Sequence, residues 1–157
     1  MNTPLHNLVK SIRNELDTLE QVLARLYEAW DRARRTGVDF YLDSVALNLH
    51  GFYSGIERVF ERLAETLGEG IPAGENWHQA LLIQMTREIT GIRPAVISLD
   101  SYQRLNEYRG FRHVVRNVYS IHFDATKMEK LVLDARSVFA QVKEELLAFS
   151  RFLDAQR

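Results

Sequence analysis

Residues 3–37 read TPLHNLVKSIRNELDTLEQVLARLYEAWDRARRTG, and apolar side chains recur in this stretch every three or four residues. This spacing places them on one face of an α-helix. The apolar positions are Leu5, Leu8, Val9, Ile12, Leu16, Leu19, Val22, Leu23, Leu26, Tyr27 and Trp30. Thr3-Pro4 is typical of a helix start and Gly37 of a helix end. The stretch predicts one amphipathic helix of about 30 residues, or roughly 45 Å.

The rest of the chain continues this helical pattern and contains no strand, repeat or linker signal. The expected elements are a second helix from about Phe40 to Leu67, a loop at residues 68–74, a shorter helix from Asn76 to Gly91, an extended connector at residues 92–97, a fourth helix from Ser98 or Asp100 to about Phe123, and a fifth helix capped by Asp124. Four long helices and one short helix joined by brief loops predict an all-α, up-and-down antiparallel bundle. We expect residues 1–157 to form a single domain.

The composition is that of a globular protein and excludes several classes of function. Hydrophobic residues make up 46% of the 157 residues and charged residues 26%, and the formal net charge is −1. Any surface that binds an anion must therefore be local. The absence of cysteine excludes disulfides and thiolate metal sites, and the histidines show no metal-ligand spacing with carboxylates. We expect no metal, no cofactor and no membrane span, and a cytoplasmic location.

The basic segment of the chain is residues 102–122, which carry four arginines against one glutamate, a local excess of 4 − 1 = +3. The arginines are Arg104, Arg109, Arg112 and Arg116. Arg112, Arg116 and Tyr119 fall on one helix face. Two guanidiniums one turn apart repel each other unless an anion lies between them, and phosphate fits their planar forks. The segment is therefore a candidate phosphodiester site. The alternative is a solvated face whose arginines pair with carboxylates of a neighbouring helix.

Three stretches of the sequence resemble one known family. YRGFRHVVRNVY from Tyr108 to Tyr119, followed by Phe123-Asp124, resembles the signature helix of HEPN-domain proteins, specifically the HepT-like toxins. HGFYSGIE at residues 50–57 and GENWH at residues 74–78 resemble the same family. The resemblance follows the family's order over nearly the whole chain.

This resemblance implies a fold, an activity and a partner. It implies a HEPN-like helical bundle that forms a homodimer, with two signature helices facing each other across a shared cleft. It implies a metal-independent endoribonuclease that acts as the toxin of a toxin–antitoxin pair. The implied antitoxin is a small nucleotidyltransferase of the MNT type, which in some systems adenylylates a tyrosine of the signature, here Tyr119.

The family signature reads arginine, four residues, histidine, one residue, tyrosine. Arg112 and Tyr119 fill the outer positions, but Asn117 stands in place of the histidine. Asparagine forms hydrogen bonds but takes up no proton at neutral pH. Three alternatives stay open. His113 takes over the proton transfer; the working pair shifts to Arg116 and His122; or the cleft binds RNA or a partner without turnover.

Other positions are candidates for supporting roles. We expect Glu57 to pair with Arg112 or Arg116, and we include it with Tyr53 and Arg109 among the residues that bind substrate or partner. The alternative for Glu57 is an ordinary surface charge, and for Tyr53 a half-buried side chain whose hydrogen bonds are satisfied.

Two further pairs of residues carry structural expectations. Gly51 and Gly55, four residues apart, predict a flat face for close approach of a helix, either within the bundle or across a dimer. Trp77 and His78 are expected to anchor the short helix to the bundle, since this is more common for such a pair than contact with a ligand.

Overall fold

The computed structural model describes the backbone of residues 3–117 and 124–156, and the side chains of residues 3–112 and 124–156. Within these ranges the chain forms five helices and no β-strand, which confirms the all-α prediction. They are α1 (Thr3–Thr36), α2 (Phe40–Thr66), α3 (Trp77–Gln84), α4 (Leu99–Asn117) and α5 (Ala125–Asp154). None of these helices, as far as they are described, is long and apolar enough to cross a bilayer.

The four long helices form a bundle around one core. Helices α2 and α5 each pack against both α1 and α4, while the short α3 packs against α2 and α4. Phe52 of α2 makes edge-on ring contacts with Tyr108 of α4 at 5.3 Å and with Phe139 of α5 at 6.1 Å. The buried Tyr108 hydroxyl donates a hydrogen bond to the Leu131 carbonyl at 2.6 Å. These contacts fix the position of α4 against α2 and α5.

The ends of the long helices follow the sequence signals. Gly37 adopts a left-handed conformation with φ of 69° directly after α1 and donates its N–H to the Ala33 carbonyl. Asp124 caps α5 as expected, because its carboxylate accepts the Thr126 N–H at 2.9 Å. The expected end of α4 near Phe123 lies outside the described residues.

Helix α3 is shorter than the sequence pattern predicted. It ends at Gln84, whereas the apolar spacing predicted a helix as far as Gly91. The Met85 carbonyl accepts the N–H groups of Val96 and Ile97, and Ile89 pairs with Arg93 in an isolated antiparallel bridge. The chain therefore folds back on itself, and its backbone groups bond across the turn instead of along a helix.

A buried ion pair holds this folded-back segment. The Arg93 guanidinium, whose side chain is fully buried, donates two hydrogen bonds to the Glu69 carboxylate, each of 2.7 Å. It also donates to the carbonyls of Arg87, Pro94 and Gln84. Burial alone would raise the pKa of Glu69, but the hydrogen bonds from Arg93 and Gln84 and the Arg93 charge outweigh it and hold that pKa below its usual value.

We expect Glu69→Gln to destabilise the protein at neutral pH by about 1.5–3 kcal/mol, because it removes one charge of a hydrogen-bonded buried pair. A carboxyl with a lowered folded-state pKa stabilises the fold above its unfolded pKa, and this stabilisation is lost as pH falls through the folded pKa. The difference between the wild type and the variant should therefore shrink on acidification. Urea unfolding between about pH 7 and pH 3 measures the difference in the free energy of unfolding between wild type and variant. A difference that does not change with pH would contradict the lowered pKa of Glu69.

The two glycines of α2 face α1, so their flat face serves packing within the bundle. A Cβ on Gly55 would lie 2.6 Å from Leu19 Cδ2 and 2.9 Å from Glu15 Oε1, whereas a Cβ on Gly51 would meet only Val22 Cγ1 at 4.0 Å. A side chain at position 55 would therefore force the ends of the Leu19 and Glu15 side chains to shift, whereas alanine at position 51 fits without a shift.

We expect opposite effects from alanine at these two positions. Gly51→Ala should stabilise the protein by about 0.5–1 kcal/mol, because alanine is the better helix former. Gly55→Ala gains the same helix propensity but overpacks the contact with α1, which costs about 1–3 kcal/mol. The variant should therefore lose about 1 kcal/mol of stability. Paired urea melts measure both variants. Equal stabilisation by both would show that α1 moves away at no cost.

Candidate active site

Arg112 of α4 lies against the face of α2 that carries Ser54 and Glu57, three residues apart and therefore neighbours on that helix. Its Nε donates a hydrogen bond to Ser54 Oγ at 3.3 Å, and its Nη1 lies 3.9 Å from Glu57 Oε1. The expected pairing of Glu57 with Arg112 is therefore present. The Arg112 side chain is 16% exposed and the Glu57 side chain 5%. A cation and a carboxylate thus meet just beneath the surface.

The first residues of α3 add an imidazole to this pair. Nδ1 of His78 lies 2.8 Å from Glu57 Oε2. An ionised carboxylate can only accept a hydrogen bond, so Nδ1 carries the proton and donates it. In the neutral ring this leaves Nε2 as an acceptor. Glu57 therefore contacts Arg112 with one oxygen and orients His78 with the other.

The His78 ring has a neighbour over each of its two faces. Nη1 of Arg112 is 3.3 Å from both Nδ1 and Nε2. An atom in the ring plane at that distance from both nitrogens would collide with the carbon between them, so Nη1 lies over the ring face. The Trp77 ring packs against His78 with centroids 3.7 Å apart and a tilt of 31°. One face cannot hold both groups, so the indole packs against one face of the imidazole and Nη1 of Arg112 lies over the other.

The hydrogen-bonding capacity of Arg112 is only partly used. Its distance of 3.9 Å to Glu57 is longer than the 2.7–2.9 Å typical of a charge-assisted hydrogen bond. Within the part of the chain that the structure describes, Nη2 has no hydrogen-bond partner. Arg112 therefore combines a fixed orientation with an N–H fork that can still bind an anion.

Tyr53 lies beneath the site and is fully buried. Burial, reinforced by the charge of Glu57, raises the pKa of its hydroxyl well above the usual value, so the group stays neutral. Among the described residues the hydroxyl finds no hydrogen-bond partner. Neither expectation for Tyr53 agrees with this placement, because a fully buried side chain offers no surface to a substrate and its hydroxyl is not satisfied within the described residues.

The two other arginines of α4 whose side chains the structure describes are arranged differently from Arg112. Arg104 faces α5, where it donates hydrogen bonds to Gln141 at 2.6 Å and Ser137 at 2.9 Å. Arg109 is half-buried and donates to Asn106 at 2.8 Å. It is close enough to Tyr53 for its charge to oppose the rise in the tyrosine pKa. Among the described side chains, Arg112 is the one of these three that meets both a carboxylate and an imidazole.

Five of the predicted catalytic residues have side chains outside the described part of the chain. They are His113, Arg116, Asn117, Tyr119 and His122. The backbone of α4 continues through Asn117, so Arg112, Arg116 and Asn117 belong to one helix. The roles proposed for these side chains stay predictions.

Sequence reasoning missed His78 and Ser54 as members of the site. It assigned His78 to anchoring the short helix, and the neighbouring Trp77 does pack against the core. The available signal was the stretch at residues 74–78, which was recognised as family-like without a role for its histidine. Ser54 lies in the other family-like stretch, residues 50–57, three residues before Glu57.

Comparison with known proteins supports the resemblance in the sequence. A family model described as HepT-like protein matches residues 44–153, which is most of the chain and includes α3, α4 and most of α2 and α5. No curated protein and no solved structure gave a significant match. The matched range contains every residue of the cluster around Arg112. The chain belongs to the HepT-like family.

Proposed function

We propose that this protein is the toxin of a HEPN/MNT toxin–antitoxin pair and cleaves RNA as a metal-independent endoribonuclease. The observation that carries the proposal is the arrangement of Arg112, which is oriented by Glu57, Ser54 and His78 while its Nη2 makes no bond within the described residues. A guanidinium held in this way can bind a phosphodiester and stabilise the charge that develops on it.

The proposed reaction is attack of an RNA 2′-oxygen on the adjacent phosphorus. The O2′–P bond forms, the P–O5′ bond breaks, and the products are a 2′,3′-cyclic phosphate and a 5′-hydroxyl. Arg112 binds the phosphate, with Arg116 assisting, and Arg109 contacts the strand. His113 or His122 is the candidate for moving protons in place of Asn117, and Tyr119 positions the substrate.

The proposal includes the assembly and partners implied by the family. Two copies of the chain form a homodimer that brings two signature helices to one cleft. An MNT-type nucleotidyltransferase antitoxin binds the dimer and silences it by adenylylating Tyr119. RNA is the substrate, and the cytoplasm is the compartment in which the pair acts.

One observation favours a second candidate, a binding module that engages RNA or the nucleotidyltransferase without turnover. Asn117 replaces the signature histidine, and loss of a general acid or base typically slows a reaction about 10²- to 10⁴-fold. In this alternative the cluster around Arg112 still binds phosphate, but the RNA leaves intact.

Incubation of the purified protein with a labelled RNA in excess EDTA tests the proposed function. We expect endonucleolytic fragments that end in a 2′,3′-cyclic phosphate, since the attacking group is the 2′-oxygen. A 2′-deoxy substitution at the cleaved position should block that cut. Intact RNA, in a preparation that binds the same RNA, would contradict the enzyme and support the binding module.

A further inference from the structure

We infer that His78, oriented by Glu57, is the proton acceptor for RNA cleavage and takes the catalytic place of the histidine that Asn117 replaces. The inference rests on the proposed ribonuclease function and goes beyond it, because the residues assigned above to proton transfer, His113 and His122, both lie in the basic segment at residues 102–122. His78 belongs to α3 and reaches the site from a different part of the fold.

The Glu57–His78 pair has the geometry of a carboxylate–histidine dyad. Nδ1 donates to the Glu57 carboxylate at 2.8 Å, which fixes the tautomer and leaves the lone pair of Nε2 available. The Glu57 side chain is 5% exposed, and its contact with Nδ1 orients the imidazole. In hydrolases that use such a dyad, the carboxylate orients the histidine in the same way.

No contact among the described residues occupies the in-plane lone pair of Nε2. Nη1 of Arg112 lies over the face of His78 and so does not occupy the in-plane lone pair of Nε2. Among the described residues no other group bonds to Nε2, and the His78 side chain is 21% exposed. Trp77 packs against the ring, and the buried Glu57 contacts Nδ1. The remaining exposure of His78 gives a substrate access to the ring.

His78 and Arg112 are close enough to act on one phosphodiester. Nε2 lies 3.3 Å from Nη1, so a phosphate bound to the guanidinium would have its neighbouring 2′-hydroxyl within reach of the imidazole. Nε2 accepts the 2′-hydroxyl proton as the O2′–P bond forms. The P–O5′ bond then breaks, the 5′-oxygen takes a proton from water, and His78 releases its own proton to solvent.

Replacing His78 by asparagine separates catalysis from support of the fold. The asparagine amide can still donate to Glu57 but cannot accept a proton. We expect His78→Asn to slow RNA cleavage in EDTA by roughly 10²- to 10⁴-fold, with an unchanged circular dichroism spectrum and unchanged affinity for a 2′-deoxy RNA analogue. His6 is exposed on α1, so His6→Asn is the matched control, and this variant should cleave RNA at the wild-type rate.

The family histidine provides a rescue experiment. His78→Asn combined with Asn117→His should recover activity, because it restores an imidazole at the position where the family signature has its histidine. A folded His78→Asn protein that cleaves at the wild-type rate would overturn the inference, while loss of activity in an Arg112 variant would still uphold the proposed function. A wild type that leaves RNA intact would overturn both.

Chemical modification of the wild-type protein tests the inference without any substitution. Diethylpyrocarbonate reacts with an unprotonated imidazole nitrogen, and mass spectrometry locates the modified histidine. We expect modification of His78 and protection of it by the 2′-deoxy RNA analogue. A His78 that does not react, or that reacts equally with and without the analogue, would overturn the inference even if the asparagine variant failed to fold.

Discussion

Replacement of Arg112 by alanine should abolish ribonuclease activity, with a loss of about 10³-fold or more. A single donor to developing negative charge is typically worth about 10²- to 10³-fold, and Arg112 also positions the phosphate. It contacts Glu57, Ser54 and His78 together, so its removal disturbs binding and chemistry at once. Single-turnover cleavage rates in EDTA measure the effect.

Arg104→Ala is the matched control for this experiment. It removes the same side chain from the same helix, but Arg104 bonds to Gln141 and Ser137 on the α5 side. It should leave the rate unchanged. Arg112→Ala leaves the buried Glu57 without its cation. Arg112→Lys is therefore a second variant, which keeps the positive charge but loses the planar N–H fork of the guanidinium. Full activity in both Arg112 variants would contradict the assigned role.

Restoring the signature histidine should produce the largest gain. We expect Asn117→His to raise the cleavage rate by about 10- to 10²-fold, since it adds a group that can exchange protons near neutral pH. Cell toxicity in the absence of an antitoxin should rise in parallel. Asn14→His, on the exposed face of α1, is the control for an added histidine. An unchanged rate would show that the site has diverged by more than one residue.

The helices were predictable wherever local spacing determines them. The apolar stripe of α1 and the Asp124 cap of α5 are local features, and the structure agrees with both. The apolar spacing predicted the wrong end for α3, because Met85 and Ile89 continue the helical spacing. Their backbone groups instead bond to residues 93, 96 and 97, which a local periodicity does not reveal. Tertiary hydrogen bonding therefore overrode the helical pattern.

The residues of the candidate site were likewise predictable only where a local stretch of sequence indicates them. Arg112 and Glu57 were recognised because each lies in a stretch with a family-like pattern and because opposite charges suggest a pair. His78 was missed as a partner because it meets Glu57 across 21 residues and Arg112 across 34 residues of sequence. No spacing rule joins residues so far apart. That contact appears only when α3 is placed against α2 and α4.

Binding of a 2′-deoxy RNA analogue, followed by fluorescence anisotropy, tests the central claim most directly, because both the enzyme and the binding module require a phosphate at Arg112. We predict that wild type binds in a salt-dependent manner. Arg112→Ala should weaken binding about tenfold or more, since a hydrogen bond to a charged group contributes about 1.5–3 kcal/mol. Arg104→Ala should bind as wild type does. Equal affinity of wild type and Arg112→Ala would contradict the account.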